Sequence, residues 1–158
     1  MKEAAAEYEA ALRIQPDAAG AREHLARVNA EMHYRAGTLL ARGGHPREAA
    51  AEFETTLQLD PAYGEAPINL RTAVARMHYH EGITLASEGR AGEAAAEFEA
   101  ALRFDPSYAE AHNNLGVLLS RMPGRKDEAI AQFQEALRIR PDYAEARGNL
   151  EAALAGRR

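Results

Sequence analysis

The residues with the widest chemical repertoire here are six histidines and 24 carboxylates, and their spacing decides what they can do. His78 and His80 stand two apart, about 200° around a helix, so they cannot close on one ion together. His33, His78 and His112 recur at matching places in a repeated segment. A stack of helices would set them about 10 Å or more apart, whereas a metal ligand must sit about 2 Å from its ion. They are expected as half-buried packing residues, and His24 and His45 show no ligand pattern. The absence of cysteine excludes disulfides, thiolate metal sites and thiol catalysis. There is no Gly-rich phosphate loop, no G-x-S-x-G and no H-E-x-x-H, and most glutamates fall on the solvated side of helices. Neither an enzyme nor a metal or cofactor site is expected.

The elements that carry these residues come from repetition. Four segments align without gaps: Lys2-EAAAEYEAALRIQ-Pro16, Arg47-EAAAEFETTLQLD-Pro61, Gly92-EAAAEFEAALRFD-Pro106 and Asp127-EAIAQFQEALRIR-Pro141. Ala4, Ala49, Ala94 and Ala129 precede Tyr8, Phe53, Phe98 and Phe133 by four residues, so each small residue lies beside a large one on one helical face. Leu12/Ile14, Leu57/Leu59, Leu102/Phe104 and Leu137/Ile139 continue that stripe, and a proline ends each helix. A second helix precedes three of the four, with glycines in register at Gly37, Gly82 and Gly116. A mid-helix Gly costs about 1 kcal/mol relative to Ala, and a cost repeated in register points to a close approach of the paired helix. Gly44, Gly89 and Gly124 supply the turns.

These residues resemble the tetratricopeptide repeat family. The Ala, aromatic and Pro of the second helix match in all four copies, and Gly37/Leu40, Gly82/Leu85 and Leu115/Gly116/Leu119 match the first helix. His33, His78 and His112 stand where the family carries Trp, and Ala36 and Glu81 where it carries Leu, which implies looser packing. The resemblance implies an all-α, right-handed superhelical solenoid of antiparallel helix pairs covering residues 1–158 as one array. Its parts are an orphan second helix at 2–15, repeats at 19–60, 64–105 and 109–140, and a capping helix at 143–155. The closing prolines are spaced 45, 45 and 35 residues apart, against a family repeat of about 34. Eleven extra residues bring the apolar face round nearly in phase. Ala19–Arg42 and Glu65–Glu88 are therefore read as lengthened first helices, with a kinked pair of shorter helices as the alternative. Pro67 is tolerable only in an opening turn. The start on a second helix suggests the C-terminal part of a larger protein.

The resemblance places function on the concave surface lined by first helices, where family members bind a peptide or helix of a partner. The faces mapped there are Glu31, Tyr34, Arg35, Thr38 and Arg42; Arg76, Tyr79, His80, Ile83 and Ser87; and Glu110, Asn113, Asn114, Val117 and Arg121. Tyr34 and Tyr79 have no core role by position and are expected to face inward. Tyr63, Tyr108 and Tyr143, two residues after closing prolines, are expected to pack across repeats. Asn69, Asn114 and Asn149 lie eight residues after those prolines, and as a column of amides they resemble the peptide-holding ladder of the O-linked N-acetylglucosamine transferase's repeat domain. The residues of the chaperone-tail carboxylate clamp do not map. The expected partner site is Tyr34, Arg35, Arg42, Asn69, Arg76, Tyr79, His80, Asn113, Asn114, Arg121 and Asn149, receiving a protein or peptide of acidic character.

A second function class is self-assembly. Ala4, Tyr8, Leu12 and Ile14 form a stripe that a preceding first helix covers in the other copies, so a homo-oligomer through residues 1–15 is the alternative reading. The net charge of −5 supplies no general basic field for nucleic acid, and no apolar run reaches the length of a membrane span. A soluble, cytoplasmic chain is expected, and its Ala, Arg and Gly usage fits a bacterial gene.

Overall fold

The computed structural model describes residues 2–155. Among them are eight α-helices and no strand: α1 (Lys2–Ile14), α2 (Ala19–Arg42), α3 (Pro46–Leu59), α4 (Ala66–Ser87), α5 (Ala91–Phe104), α6 (Ala109–Ser120), α7 (Lys126–Ile139) and α8 (Ala144–Ala155). α2 and α4 run for 24 and 22 residues, against 12 to 14 for the others. α4 is unbroken through Ala73–Arg76, with Pro67 in its first turn, where a missing N–H costs nothing.

The turns follow from local chemistry. Gly44, Gly89 and Gly124 adopt φ of 81°, 77° and 78°, the left-handed conformation that ends a helix most cheaply in glycine. His45 N–H then donates to Leu40 O, and Arg90 N–H to Leu85 O, each at 2.9 Å. The residues before the closing prolines, Asp60, Asp105 and Arg140, are extended, as the clash with a following proline ring demands. Short turns of this kind force consecutive helices to lie antiparallel.

The described residues divide into two compact units, one up to Val74 and one from Ala75, the boundary falling inside α4. The core of the first unit gathers Ala49, Ala50, Phe53 and Ala73, with Tyr34, Leu40 and Leu70 packed against it. That of the second gathers Leu85, Phe98, Leu115, Leu119, Ile130 and Phe133, with Tyr79 and Leu150 against it. Phe53, Phe98 and Phe133 are the largest side chains removed from water. Each is met by a first-helix glycine. A Cβ on Gly37, Gly82 or Gly116 would stand 2.8, 2.7 or 2.6 Å from the facing ring. The glycines in register are thus spent on bringing a backbone onto an aromatic ring.

Candidate functional site

In the first unit, α2 and the start of α4 bring Tyr34 and Asn69 together. Asn69 Nδ2 donates to the Tyr34 hydroxyl at 2.9 Å, and that hydroxyl donates to Glu65. The Tyr34 ring lies 4.7 Å from Tyr63 and 5.8 Å from Phe53. The hydrogen bond to Glu65 raises the Tyr34 pKa, with burial adding to it. Arg35 is exposed and pairs with Glu31 one turn back, Nε to Oε1 at 2.5 Å. Arg42 is exposed and makes no ion pair among the described residues.

In the second unit the same arrangement recurs. Asn114 Nδ2 donates to the Tyr79 hydroxyl at 3.2 Å, and the Tyr79 ring lies 4.7 Å from Tyr108 and 5.8 Å from Phe98. His80 meets Tyr79 edge-on. Asn149 Nδ2 donates to Asn113 Oδ1 at 2.9 Å, and Asn113 Nδ2 donates to Glu145 Oε1 at 3.1 Å. Burial raises the pKa of Tyr79 and of Tyr143, and pushes that of Tyr108 up to about 12. Next to Asn114 lies a cleft of about 230 Å³, built from Ile83 and Ala86 of α4, Phe98 of α5, Val117 and Leu118 of α6, and Arg121, which caps the C-terminal end of α6. Ile83 is 40% exposed. Arg76 and Arg121 are exposed and without an ion pair among the described residues, whereas Arg90, Arg125, Arg138 and Arg140 all have carboxylate partners.

Several expectations change here. Asn113 is fully buried and hydrogen-bonded on three sides, so it cannot touch a ligand and leaves the partner-facing set. Tyr34 and Tyr79, expected free of the core, are half-buried against it, because their rings fill the space beside Phe53 and Phe98. The amide column of Asn69, Asn114 and Asn149 donates to the neighbouring repeat, at Tyr34, Tyr79 and Asn113, so those N–H groups already have acceptors within the chain. Tyr34 and Asn69 form one group and Tyr79, His80 and Asn114 another, with Arg121 on the same cleft as Asn114.

Other contacts escaped the sequence reading. His33 Nδ1 lies 2.6 Å from Glu52 Oε2 and His78 Nδ1 2.6 Å from Glu97 Oε2, while His112 Nδ1 lies 2.7 Å from Gln132 Oε1. The repeat offset of 19, 19 and 20 residues was a signal, but a histidine in a tryptophan's place reads first as packing. Glu52 and Glu97 therefore hold the helix pair together rather than sit free on a solvated face. In α1, the stripe residues Ala4, Tyr8 and Leu12 are half-buried, with Tyr8 stacked on His24 of α2 at 5.5 Å, while Ile14 is 87% exposed.

Among the described residues, no three histidines or carboxylates cluster so as to hold a metal ion. No described helix is long and apolar enough to cross a membrane.

A search of curated proteins returns no match. Among solved structures, the chain is similar to the first tetratricopeptide repeat domain of Spaghetti (RPAP3) bound to an HSP90 peptide, at 18% identity and a TM-score of 0.43, covering 82% of this chain and 94% of that one. It is similar to MamA at 21% identity and a TM-score of 0.44, covering 95% of this chain and 74% of that one. It is also similar to an O-GlcNAc transferase mutant of Thermobaculum terrenum at 25% identity and a TM-score of 0.39, covering 82% of this chain and 22% of that one. The family model described as Tetratricopeptide repeat matches residues 34–109 and again 79–144. Together these matches span well over half of the sequence, on helices paired through the glycine and aromatic positions described above, and the chain belongs to the tetratricopeptide repeat family.

Proposed function

We propose that this protein is a non-catalytic interaction scaffold whose second unit receives a peptide or helix of a partner protein on the face shared by α4 and α6. The observation that carries the reading is the cleft beside Asn114. Its lining joins the apolar side chains of Ile83, Ala86, Phe98, Val117 and Leu118 to one amide and one guanidinium. Burying an aliphatic side chain of the partner in such a cleft supplies affinity, and the amide and guanidinium fix orientation. Arg76 and Arg121, which lack an acidic partner among the described residues, favour a segment carrying carboxylates. Arg42 of the first unit has the same character. This is why the partner is given an acidic stretch, on a protein whose formal charge is −5.

The test is affinity capture with the whole chain as bait, followed by peptide mapping of what is retained. Arg76→Glu with Arg121→Glu is expected to abolish capture while leaving the helical signal and melting temperature nearly unchanged. Glu54→Lys with Glu99→Lys, both on exposed second-helix positions, is expected to leave capture intact. Glu52 and Glu97 are unsuitable as controls because each binds a histidine of the paired helix. Capture that survives the arginine changes and fails with the glutamate changes places the partner on the second helices instead.

A second reading, assembly with another copy through α1, is favoured by one comparison. Phe53, Phe98 and Phe133 are each 1% exposed, and Ala49, Ala94 and Ala129 are 0% exposed. Their counterparts in α1, Tyr8 and Ala4, remain half-exposed, leaving apolar surface for another helix to cover.

A further inference from the structure

Three positions recur between repeats, and two of them carry charges that differ in an informative way. The first-helix position is Glu31, Arg76 and Glu110. The position closing the second helix is Asp60, Asp105 and Arg140, and three residues later stand Tyr63, Tyr108 and Tyr143. In the last repeat these groups close on one another. Arg140 Nη1 donates to Glu110 Oε1 at 2.7 Å, and its guanidinium carbon lies 3.7 Å from the centre of the Tyr143 ring. In the middle repeat the signs are exchanged, and Arg76 and Asp105 both act on Tyr108 without forming an ion pair with each other. In the first repeat both positions, Glu31 and Asp60, are carboxylates.

The backbone at that place is the same. Asp60 and Arg140 have φ, ψ of −140°, 92° and −131°, 92°. Each N–H donates to the carbonyl four residues earlier at 2.9 Å, and each carbonyl accepts from its own tyrosine's N–H at 3.1 Å. The side chain at this position differs, and beside Asp60, between it and the longer N-terminal part of α2, the first repeat holds an open cleft of about 610 Å³. His24, Arg27, Val28 and Glu31 of α2 form one wall, and Asp60 and Tyr63 stand opposite.

We propose that this cleft receives the guanidinium of an arginine from a partner polypeptide, laid on Tyr63 and bonded to Glu31 and Asp60. The chain supplies the precedent for one carboxylate and one ring, because Glu110 bonds its own Arg140 while the guanidinium lies over Tyr143. A planar guanidinium donates to two carboxylates while stacking on a ring, which a compact ammonium cannot do. The Tyr63 hydroxyl and Arg35 both bond to Glu31, and they hold its pKa below the usual range, so the acceptor is charged. Asp60 accepts the Ala62 N–H at 3.1 Å through Oδ1 and makes no ion pair among the described residues. The opposing groups are Arg27, on the same wall, and His24, which is stacked on Tyr8. This site lies in the first unit and depends on no part of the reading given for the second.

The experiment is a two-dimensional NMR titration of the ¹⁵N-labelled full chain with N-acetyl-arginine amide, its neutral citrulline analogue and N-acetyl-lysine amide. The arginine probe is expected to shift the amide signals of Glu31 and of residues 60–64. The citrulline probe should bind at least about tenfold more weakly, as the loss of charge-assisted bonds requires, and the lysine probe should also bind more weakly. Asp60→Arg, which installs the internal guanidinium of the last repeat, should abolish the response. Arg27→Gln should tighten binding. Should Asp60→Arg lose its helical signal, Asp60→Asn takes its place, with a severalfold weakening expected. Citrulline binding as tightly as arginine, shifts confined to other residues, or an undiminished response in both Asp60 variants overturns the site. Equal binding of lysine overturns the guanidinium assignment.

Discussion

At the scale of single residues, Gly116 and Gly148 sit in helices of the same type, yet alanine should act on them in opposite directions. A Cβ on Gly116 meets the Phe133 ring at 2.6 Å, and that ring is 1% exposed with no room to retreat. Gly116→Ala should therefore destabilise by about 1–3 kcal/mol through overpacking, in spite of its gain in helix propensity. Gly148, with nothing within 4 Å, should gain about 0.5–1 kcal/mol on the same change. Urea denaturation of both variants checks the pair, and stabilisation by both would show that Phe133 can move. Tyr108 makes a prediction in pH. Burial, helped by the nearby Tyr79, raises its pKa from 10.0 to about 12. The folded state thus keeps a proton that the unfolded state releases, so this contribution to stability is intact below pH 10. It should fall as pH rises from about 10 to 12. Tyr108→Phe should flatten that fall, as read from denaturation midpoints across alkaline pH.

Among the elements, the second helices carry the least ambiguous test. α5 turns Ala94, Ala95, Phe98 and Ala101 into the core and leaves Glu99 in solvent. Phe98→Ala should cost about 3–5 kcal/mol as a buried aromatic truncation, and Glu99→Ala about 0.5 kcal/mol or less. Equal costs in chemical denaturation would mean that the faces of α5 are misassigned. The first helices are held from two sides. Their glycines admit the phenylalanines, and their histidines reach a Glu or Gln on the paired helix at 2.6 or 2.7 Å. Nearest-neighbour packing of this kind makes the stability of a repeat protein approximately a sum over adjacent elements.

For the whole molecule, the question is whether one copy suffices. Tyr8 stands where the other second helices bury Phe, but it is only half-covered, and Ala11 is exposed where Thr56, Ala101 and Ala136 are each 0% exposed. If another copy covers this side of α1, the measured mass should rise with concentration in light scattering. Ala4→Glu with Ala11→Glu should then hold the chain at the monomer mass without changing its helical signal. A monomer mass for the unchanged chain at all concentrations would remove this reading and leave the scaffold reading untouched.

The elements were legible from residues alone because the forces that set them are local. Proline cannot continue a helix, glycine alone ends one cheaply with positive φ, and Ala and Phe four apart must share a face. Even the use of Gly37, Gly82 and Gly116 could be inferred, since a penalty repeated in register needs a reason. What covers each face was decided by contacts between residues some 30 or more apart, such as Asn69 with Tyr34, Asn149 with Asn113 and Arg140 with Glu110. Helical periodicity gives the direction in which a side chain leaves its own axis, and says nothing of the neighbour it meets. For that reason Asn113 looked available and is buried, and the asparagine column looked open and is bonded within the chain. Glu31 was mapped to the concave face and Asp60 was given no role, and only the fold set the two across one cleft.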